Sequence, residues 1–264
     1  MEDLDTPRCV AGAADDILRT LDTFGLRSDE PVIYQSHRTA AYEETLQRLK
    51  DRQAVYPCCC TRKEIADSAL NGIEGFVYAG TCRNGMAHQR ETPAWRVGTD
   101  LCPSPFPLPP SPLEFDDVLQ GCISQNLETE LGDFVVKRAD GLFAYQLAVV
   151  VDDAFQNITH IVRGADLLAS TPRQIYLQRL LGLPSPHYMH LPVAVNEVGE
   201  KLSKQTLAAP VDVSQPVATL LRVLDFLQQP LVANQAGDVE TVLNRAIQEW
   251  DTTKLRGIAR LRAA

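Results

Sequence analysis

The sequence predicts an α/β chain layered around a sheet, and three observations carry that expectation. Apolar residues recur at helical spacing in AADDILRTLDTFG (13–25) and AAYEETLQRLK (40–50). Short apolar runs, VIYQS (32–36), HIVRG (160–164) and HLPVAVN (190–196), alternate with such segments, as strands do in a layered α/β domain. A stretch rich first in cysteine and then in proline interrupts that alternation once, which reads as an insertion.

In chain order, a helix over 13–25 follows an acidic turn, VIYQS is a short buried strand, and a second helix spans 39–52. From Pro57 to about Leu131 the pattern breaks. PSPFPLPPSP (103–112) contains six prolines, too many for a helix or a central strand, so it is an extended connection. Regular structure resumes with the strand FVVKR (134–138), a reversal at Asp140-Gly141 and an apolar helix in FAYQLAVVVDD (143–153). The strand HIVRG, a single helix in DLLASTPRQIYLQRLLG (166–182) and the strand HLPVAVN then lead into the loop GEKLSKQ (199–205). Beyond Asp212 the chain is mostly amphipathic helix, as in PVATLLRVLDFLQQ and VETVLNRAIQEW, and no repeat of solenoid period occurs.

With 264 residues, 45% of them apolar, the chain can fill a sizeable core. It contains no run of eighteen or more apolar residues, and MEDLDTPR has neither a basic nor an apolar leader region. No membrane span or secretion signal is therefore expected, and the cytoplasm is the default compartment. A net charge of -9 argues against sequence-blind wrapping of nucleic acid while leaving room for a local basic face.

Seven cysteines without an export signal read as metal ligands or free thiols rather than disulfides. The segment YPCCCTRKEIADSALNGIEGFVYAGTCR holds Cys58, Cys59 and Cys60, then Tyr78 and Cys82. Taken as C-x-C and, after seventeen residues, Y-x-x-x-C, it offers three thiolates and a phenol, enough to close a tetrahedral zinc site. A set of buried thiols is the plain alternative. Cys9, Cys102 and Cys122 read as small apolar residues. In GEKLSKQ, Lys201 and Lys204 flank Ser203, either on a solvated loop or as mobile cations.

EDLDTPR, FAYQLAVVVDD, HIVRGADLL, HLPVAVN and GEKLSKQ, in that order, resemble the catalytic domain of class I glutamyl-tRNA synthetases, and in particular a short paralogue within that family. The resemblance spans Glu2 to Gln205. It implies a Rossmann-type parallel sheet divided into residues 1–56 and 132–205, a zinc-bearing insertion at 57–131 and a helical region at 206–264. The same likeness names Cys58, Cys60, Tyr78 and Cys82 as ligands of one structural Zn2+, although CCC leaves open which two of its thiols serve. KLSKQ corresponds to the family's KMSKS-type loop. Members begin with a strand, a phosphate-contacting HIGH-type turn and a helix, whereas this sequence starts at the acidic motif that follows. Weak catalysis by residues 1–264 in the absence of that βα unit is the corresponding expectation.

Activation joins a carboxylate to the α-phosphate of ATP, bound with Mg2+, so negative charge builds on phosphate oxygens and must be met by preorganised cations. Lys204 and Lys201, by resemblance, close over the phosphates, and Ser203 donates a hydroxyl. L-glutamate needs a cation for its side-chain carboxylate. Arg163, at the end of HIVRG, lies where α/β sheets present ligand-binding groups, and its planar fork suits a carboxylate. Tyr145 near the amino acid and Glu2 at its ammonium follow from the family positions. Asp152 and Asp153 flank a helix with no catalytic role expected, and His187 and His190 read as structural. Too little chain remains after Gln205 for a large anticodon-binding region, so the resemblance implies a monomer that transfers glutamate to queuosine in the anticodon of tRNA(Asp). A catalytic fragment of an ordinary glutamyl-tRNA synthetase and a non-catalytic zinc- and RNA-binding paralogue are the alternatives.

Overall fold

The structure, a computed structural model, describes residues 1–68, 70–72, 75–99, 112–203, 206, 208–230 and 237–263. Cys102, the prolines at 103–110, Lys204 and Gln205 lie outside the described residues. Helix α1 (Ala13–Thr23) carries Asp15 and Asp16 in its first turn, where carboxylates meet the positive end of the helix dipole. Helix α2 (Thr39–Asp51) buries Tyr42, Leu46 and Leu49 at helical spacing and ends on Arg48 and Lys50. VIYQS, between them, does not form the expected strand. Among the described residues its long-range backbone pairing is with Met1, the Met1 ammonium donating to Ile33 O (2.6 Å) and Gln35 N–H to Met1 O (3.0 Å), which is too little for a ladder. Ser36 is drawn onto the Asp3 carboxylate instead (2.9 and 2.6 Å), and Gln35–His37 winds into a 3-10 turn.

Strand β1 (Val55–Cys58) leads to helix α3 (Arg62–Ser68), whose start is a capping box: Thr61 N–H donates to Glu64 (2.6 Å) and Glu64 N–H to the Thr61 hydroxyl (3.3 Å). A hairpin of β2 (Leu70–Gly72) and β3 (Gly75–Val77) precedes β4 (Ala94–Val97). Next come the antiparallel pair β5 (Leu113–Asp117) and β6 (Gly121–Gln125), then β7 (Phe134–Lys137). An antiparallel sheet runs in the order β1-β4-β7. After the Asp140-Gly141 turn, where Gly141 adopts φ 88°, helix α4 (Tyr145–Phe155), strand β8 (His160–Gly164), helix α5 (Thr171–Leu181) and strand β9 (His187–Leu191) follow.

β8 and β9 are parallel and in register, with His160 opposite His187 and Gly164 opposite Leu191. The full sheet order is β6-β5-β9-β8, with β5 parallel to β9 at the Asp117–Tyr188 pair and β6 antiparallel to β5. The sheet is therefore mixed rather than wholly parallel, and residues 57–131 pair with the rest of the chain through both β4–β7 and β5–β9. Two single elements expected from sequence are each divided by proline. Pro172, lacking an N–H, fits only the first turn of a helix, so a 3-10 turn at Ala165–Ser170 precedes α5. Pro192 separates β9 from β10 (Val193–Val195), which pairs in parallel with β11 (Arg260–Arg262), a strand the sequence did not suggest. Helices α6 (Pro216–Phe226) and α7 (Val239–Glu249) form on the expected segments and pack together.

The main core joins α2, α4 and α5: Tyr42, Leu46, Leu147, Tyr176 and Leu177 are all essentially inaccessible to solvent. Asp152 locks this layer from within, accepting from Arg38 Nε (2.6 Å) and Tyr42 Oη (2.7 Å). Asp133, just before β7, makes a second junction. Its carboxylate accepts from Arg83 Nε and Nη2 (2.6 and 2.7 Å), Thr99 N and Oγ1 (2.9 and 3.0 Å) and the Tyr56 hydroxyl. Among the described residues, no helix is long and apolar enough to cross a membrane.

Candidate active site

Strand β8 delivers Arg163 to the carboxyl end of the sheet, and α4 and α5 supply the groups around it. Arg163 Nε donates to His190 Nε2 (3.1 Å), Nη2 donates to Thr171 Oγ1 (2.7 Å) and Gln174 Oε1 (2.8 Å), and Nη1 donates to Tyr145 Oη (3.3 Å). A guanidinium has five N–H donors. Four are thus directed at protein acceptors, and one hydrogen on Nη1 has no protein acceptor among the described residues. Gln174 is itself held by donating to Gln146 Oε1 (3.0 Å).

Glu2, Tyr145 and Arg163, singled out from the sequence, share one electrostatic neighbourhood. Burial raises the Glu2 carboxyl above its ordinary range, while the chain's ammonium terminus and Arg163 oppose that rise. Burial likewise raises the Tyr145 phenol, with Arg163 opposing and Glu2 reinforcing. Asp153, given no role from sequence, belongs here too. Burial pushes its carboxyl up to about 6, Arg163 pulls against that, and the charges of Asp152 and Glu2 add to it. Glu2, Asp152 and Asp153 also line one cavity of about 260 Å³ with Ile33, Gln35 and Val149. His190 and Asp117 were not identified from sequence as parts of the Arg163 cluster. For His190 the signal is a polar residue inside a largely apolar segment, which must find a partner when buried.

The lysine loop is anchored apart from this cluster. Lys201 Nζ pairs with the Asp166 carboxylate (2.5 Å), three residues beyond Arg163. Ser203 lies in a turn closed by Thr206, whose hydroxyl accepts from Ser203 N–H (2.8 Å) and donates to Lys201 O (3.1 Å).

The cysteine segment folds into a knuckle. The sulfurs of Cys58, Cys60 and Cys82 lie within 4.8 Å of one another, and the Tyr78 hydroxyl is 3.3 Å from Cys58 Sγ and 3.4 Å from Cys60 Sγ. Cys59 Sγ points elsewhere in the cluster, 3.6 Å from Cys82 Sγ and 3.6 Å from His88 Nδ1. Burial alone would raise the Cys82 thiol, but hydrogen bonds from the Ala87 backbone, Tyr78 and Cys59 bring it down to about 6. Burial pushes Cys60 up to about 12. The sulfurs of Cys58, Cys60 and Cys82 could hold a metal ion. Arg96 lies over the Tyr78 ring (4.1 Å) and donates to Asp133 O (3.0 Å), tying the knuckle to the Asp133 junction.

Comparison with known proteins agrees with this architecture. The family described as tRNA synthetases class I (E and Q), catalytic domain, matches residues 1–233. A glutamyl-Q tRNA(Asp) synthetase of Dechloromonas aromatica is 57% identical over 231 residues, covering 87% of this chain and 74% of the relative. Its counterpart in Cupriavidus metallidurans is 53% identical, covering 99% of this chain and 82% of the relative. Among solved structures, the glutamate-tRNA synthetase of Elizabethkingia anophelis aligns with all of this chain at a TM-score of 0.73 and 22% identity, a likeness of fold. This chain spans 60% of that one. A profile over most of the chain and relatives above half identity agree, and the chain belongs to the class I tRNA synthetases of the E and Q type, a family of ligases, of which it carries the catalytic domain.

Proposed function

We propose that this chain activates L-glutamate with ATP and transfers it to queuosine in the anticodon of tRNA(Asp). The observation that carries the amino-acid part is the Arg163 cluster. A cation fixed beside the Tyr145 phenol, with Glu2 and Asp153 as nearby carboxylates, is complementary to a molecule bearing a carboxylate at one end and an ammonium at the other. The remaining Nη1 hydrogen and the Tyr145 O–H are the donors for the side-chain carboxylate, and Glu2 takes the ammonium. The names of the relatives support glutamate and tRNA(Asp) as substrates.

For ATP the residues are those of the KLSKQ loop. Lys201 exchanges Asp166 for phosphate oxygens as the loop closes, Ser203 donates its hydroxyl, and Lys204 supplies a second cation. Mg2+, carried in with ATP, neutralises further phosphate charge. In the knuckle, Cys58, Cys60, Cys82 and Tyr78 would hold one zinc ion, whose chemistry there is structural. Three sulfurs within 4.8 Å of one another, with the phenol 3.3 and 3.4 Å from two of them, fit a closed tetrahedral shell. Loading would release protons, most of all from Cys60 and Tyr78, whose ionisation burial opposes.

The test is transfer of labelled glutamate to two tRNA(Asp) preparations that differ only in carrying queuosine or guanine at the modified position. Label on the queuosine form alone, undiminished after enzymatic removal of the 3′-terminal CCA, supports the reading. Equal labelling of both, or labelling that requires an intact 3′ CCA end, overturns it in favour of an ordinary glutamyl-tRNA synthetase.

A further inference from the structure

We propose that Asp117 and His190 are positioning residues that fix the rotation of the Arg163 guanidinium, by holding the His190 imidazole in its Nδ1–H form so that Nε2 is a permanent acceptor for Arg163 Nε–H. The inference rests on Arg163 as the glutamate ligand and assigns roles to two residues that do not touch the substrate.

Both side chains are fully buried, with Asp117 at the end of β5 and His190 on β9. Asp117 Oδ2 lies 2.6 Å from His190 Nδ1, while its Oδ1 accepts three backbone N–H groups, from Leu119 (3.0 Å), Gln120 (2.9 Å) and His190 (3.2 Å). Burial would raise this carboxyl, but the bond from His190 and those backbone donors hold it below the ordinary carboxylate range. Asp117 is thus ionised and can only accept, so the proton between it and the ring sits on Nδ1. The other nitrogen, Nε2, faces two hydrogen-bond partners, Arg163 Nε at 3.1 Å and Thr171 Oγ1 at 3.2 Å. Arg163 Nε can only donate. A proton on Nε2 would set two donors, and two cations, against each other in a dry site, so the ring is neutral with its Nε2 lone pair on Arg163.

The consequence is directional. Nε goes to His190 and Nη2 to Thr171 and Gln174, all three acceptors belonging to buried residues, which fixes one long edge of the planar fork. The plane can then turn neither about its Cδ–Nε bond nor away from Tyr145, and Nη1 is the corner left for a carboxylate. A purely structural pair would join β5 to β9 equally well with the Nδ1–H ring or with the imidazolium, since both donate to Asp117. Only the positioning role requires Nε2 to be unprotonated.

Two variants and one spectrum separate these roles. Asp117→Asn keeps the shape but lets the side-chain amide donate to Nδ1, which moves the ring proton to Nε2 and removes the Arg163 acceptor. Loss of a hydrogen bond to a charged group in this setting should weaken glutamate binding by about tenfold or more, with ATP binding unchanged. His190→Gln places an amide oxygen near the Nε2 position and should retain glutamate affinity within a few-fold, whereas His190→Leu should not. Long-range 1H–15N spectra of the wild-type ring should show the Nδ1–H tautomer, and of folded Asp117→Asn the Nε2–H tautomer. Wild-type glutamate affinity in a folded Asp117→Asn protein whose ring has switched tautomer, or a wild-type ring that is Nε2–H or doubly protonated at neutral pH, overturns the positioning role. If Arg163→Ala leaves glutamate binding intact, the underlying assignment of the site fails, and this proposal with it.

Discussion

Asp153 offers the most direct physical check on the site, through the pH dependence of stability. Its carboxyl sits at about 6 in the folded protein against an ordinary 3.8, raised first by burial. No described side chain or backbone N–H donates to it, and Arg163 only partly offsets the cost. Between those two pH values the native state binds more protons at this position than the unfolded chain does. Stability from this group therefore falls as pH rises through about 4 to 6: the penalty is absent below the lower value and fully present above the upper one. Two units at about 1.4 kcal/mol each give an upper bound of about 3 kcal/mol. Asp153 keeps some solvent contact, so about 1–2 kcal/mol is the expected size. Asp153→Asn removes the titration while keeping the shape. Urea denaturation of both proteins should show the variant more stable at pH 8 by about that amount, with the gap closing as pH falls to 4. A variant no more stable than wild type at pH 8, or a gap that is independent of pH, would refute the reasoning. Natural retention of a carboxylate at such a cost fits a site whose charge balance matters for ligand, since strongly shifted groups gather at functional sites.

Purified protein should hold about one zinc per chain, and Cys82→Ser should lower both zinc content and thermal stability, because a structural metal contributes folding energy. Stoichiometric zinc in a Cys58→Ser, Cys60→Ser double variant, measured by plasma emission, would contradict the ligand set. Arg163→Ala should weaken glutamate binding by roughly 1.5–3 kcal/mol, seen calorimetrically, with little change for ATP; equal loss of both would indicate a folding role. Asp133→Ala removes the shared acceptor of Arg83, Thr99 and the Tyr56 hydroxyl in the interior and should cost about 3–5 kcal/mol in urea unfolding, with faster amide exchange through the cysteine knuckle. A loss below about 1 kcal/mol would mean the junction does not hold the knuckle.

Most helices were legible because their apolar spacing is regular: α1, α2, α4, α6 and α7 fall on the segments expected of them. The misreadings have particular causes. VIYQS is apolar enough for a strand, yet a strand is a relation to a neighbour, and composition does not reveal that, among the described residues, its long-range backbone partner is Met1. Pro172 and Pro192 were visible, and their effect on the helix and strand they divide was underestimated. The knuckle was readable from cysteine spacing, whereas the choice among Cys58, Cys59 and Cys60 depends on where each sulfur points. Asp117 gave no local signal: it lies 73 residues from His190 in sequence, and only the β5–β9 pairing brings them together.

Pro192 explains how one segment serves two sites. Before it, β9 stays in the sheet and holds His190 against Arg163; after it, β10 turns out to pair with β11 and carries the chain into the lysine loop. The loop returns to the same region, because Lys201 pairs with Asp166, two residues beyond the end of β8. Gly164 makes that return feasible. A Cβ there would lie 2.4 Å from Asp166 Oδ1 and 3.2 Å from Val193 Cγ1, displacing both the lysine's partner and the first residue of β10. The strand that carries Arg163 and the loop that carries Lys201 are thus linked through one proline and one glycine. On the proposed reading, Lys201 would leave Asp166 for phosphate from a segment that pairs with β11 and not with the strand that holds His190 against Arg163. If the proposed roles hold, the amino-acid site can therefore remain preorganised while the lysine loop closes over phosphates beside it.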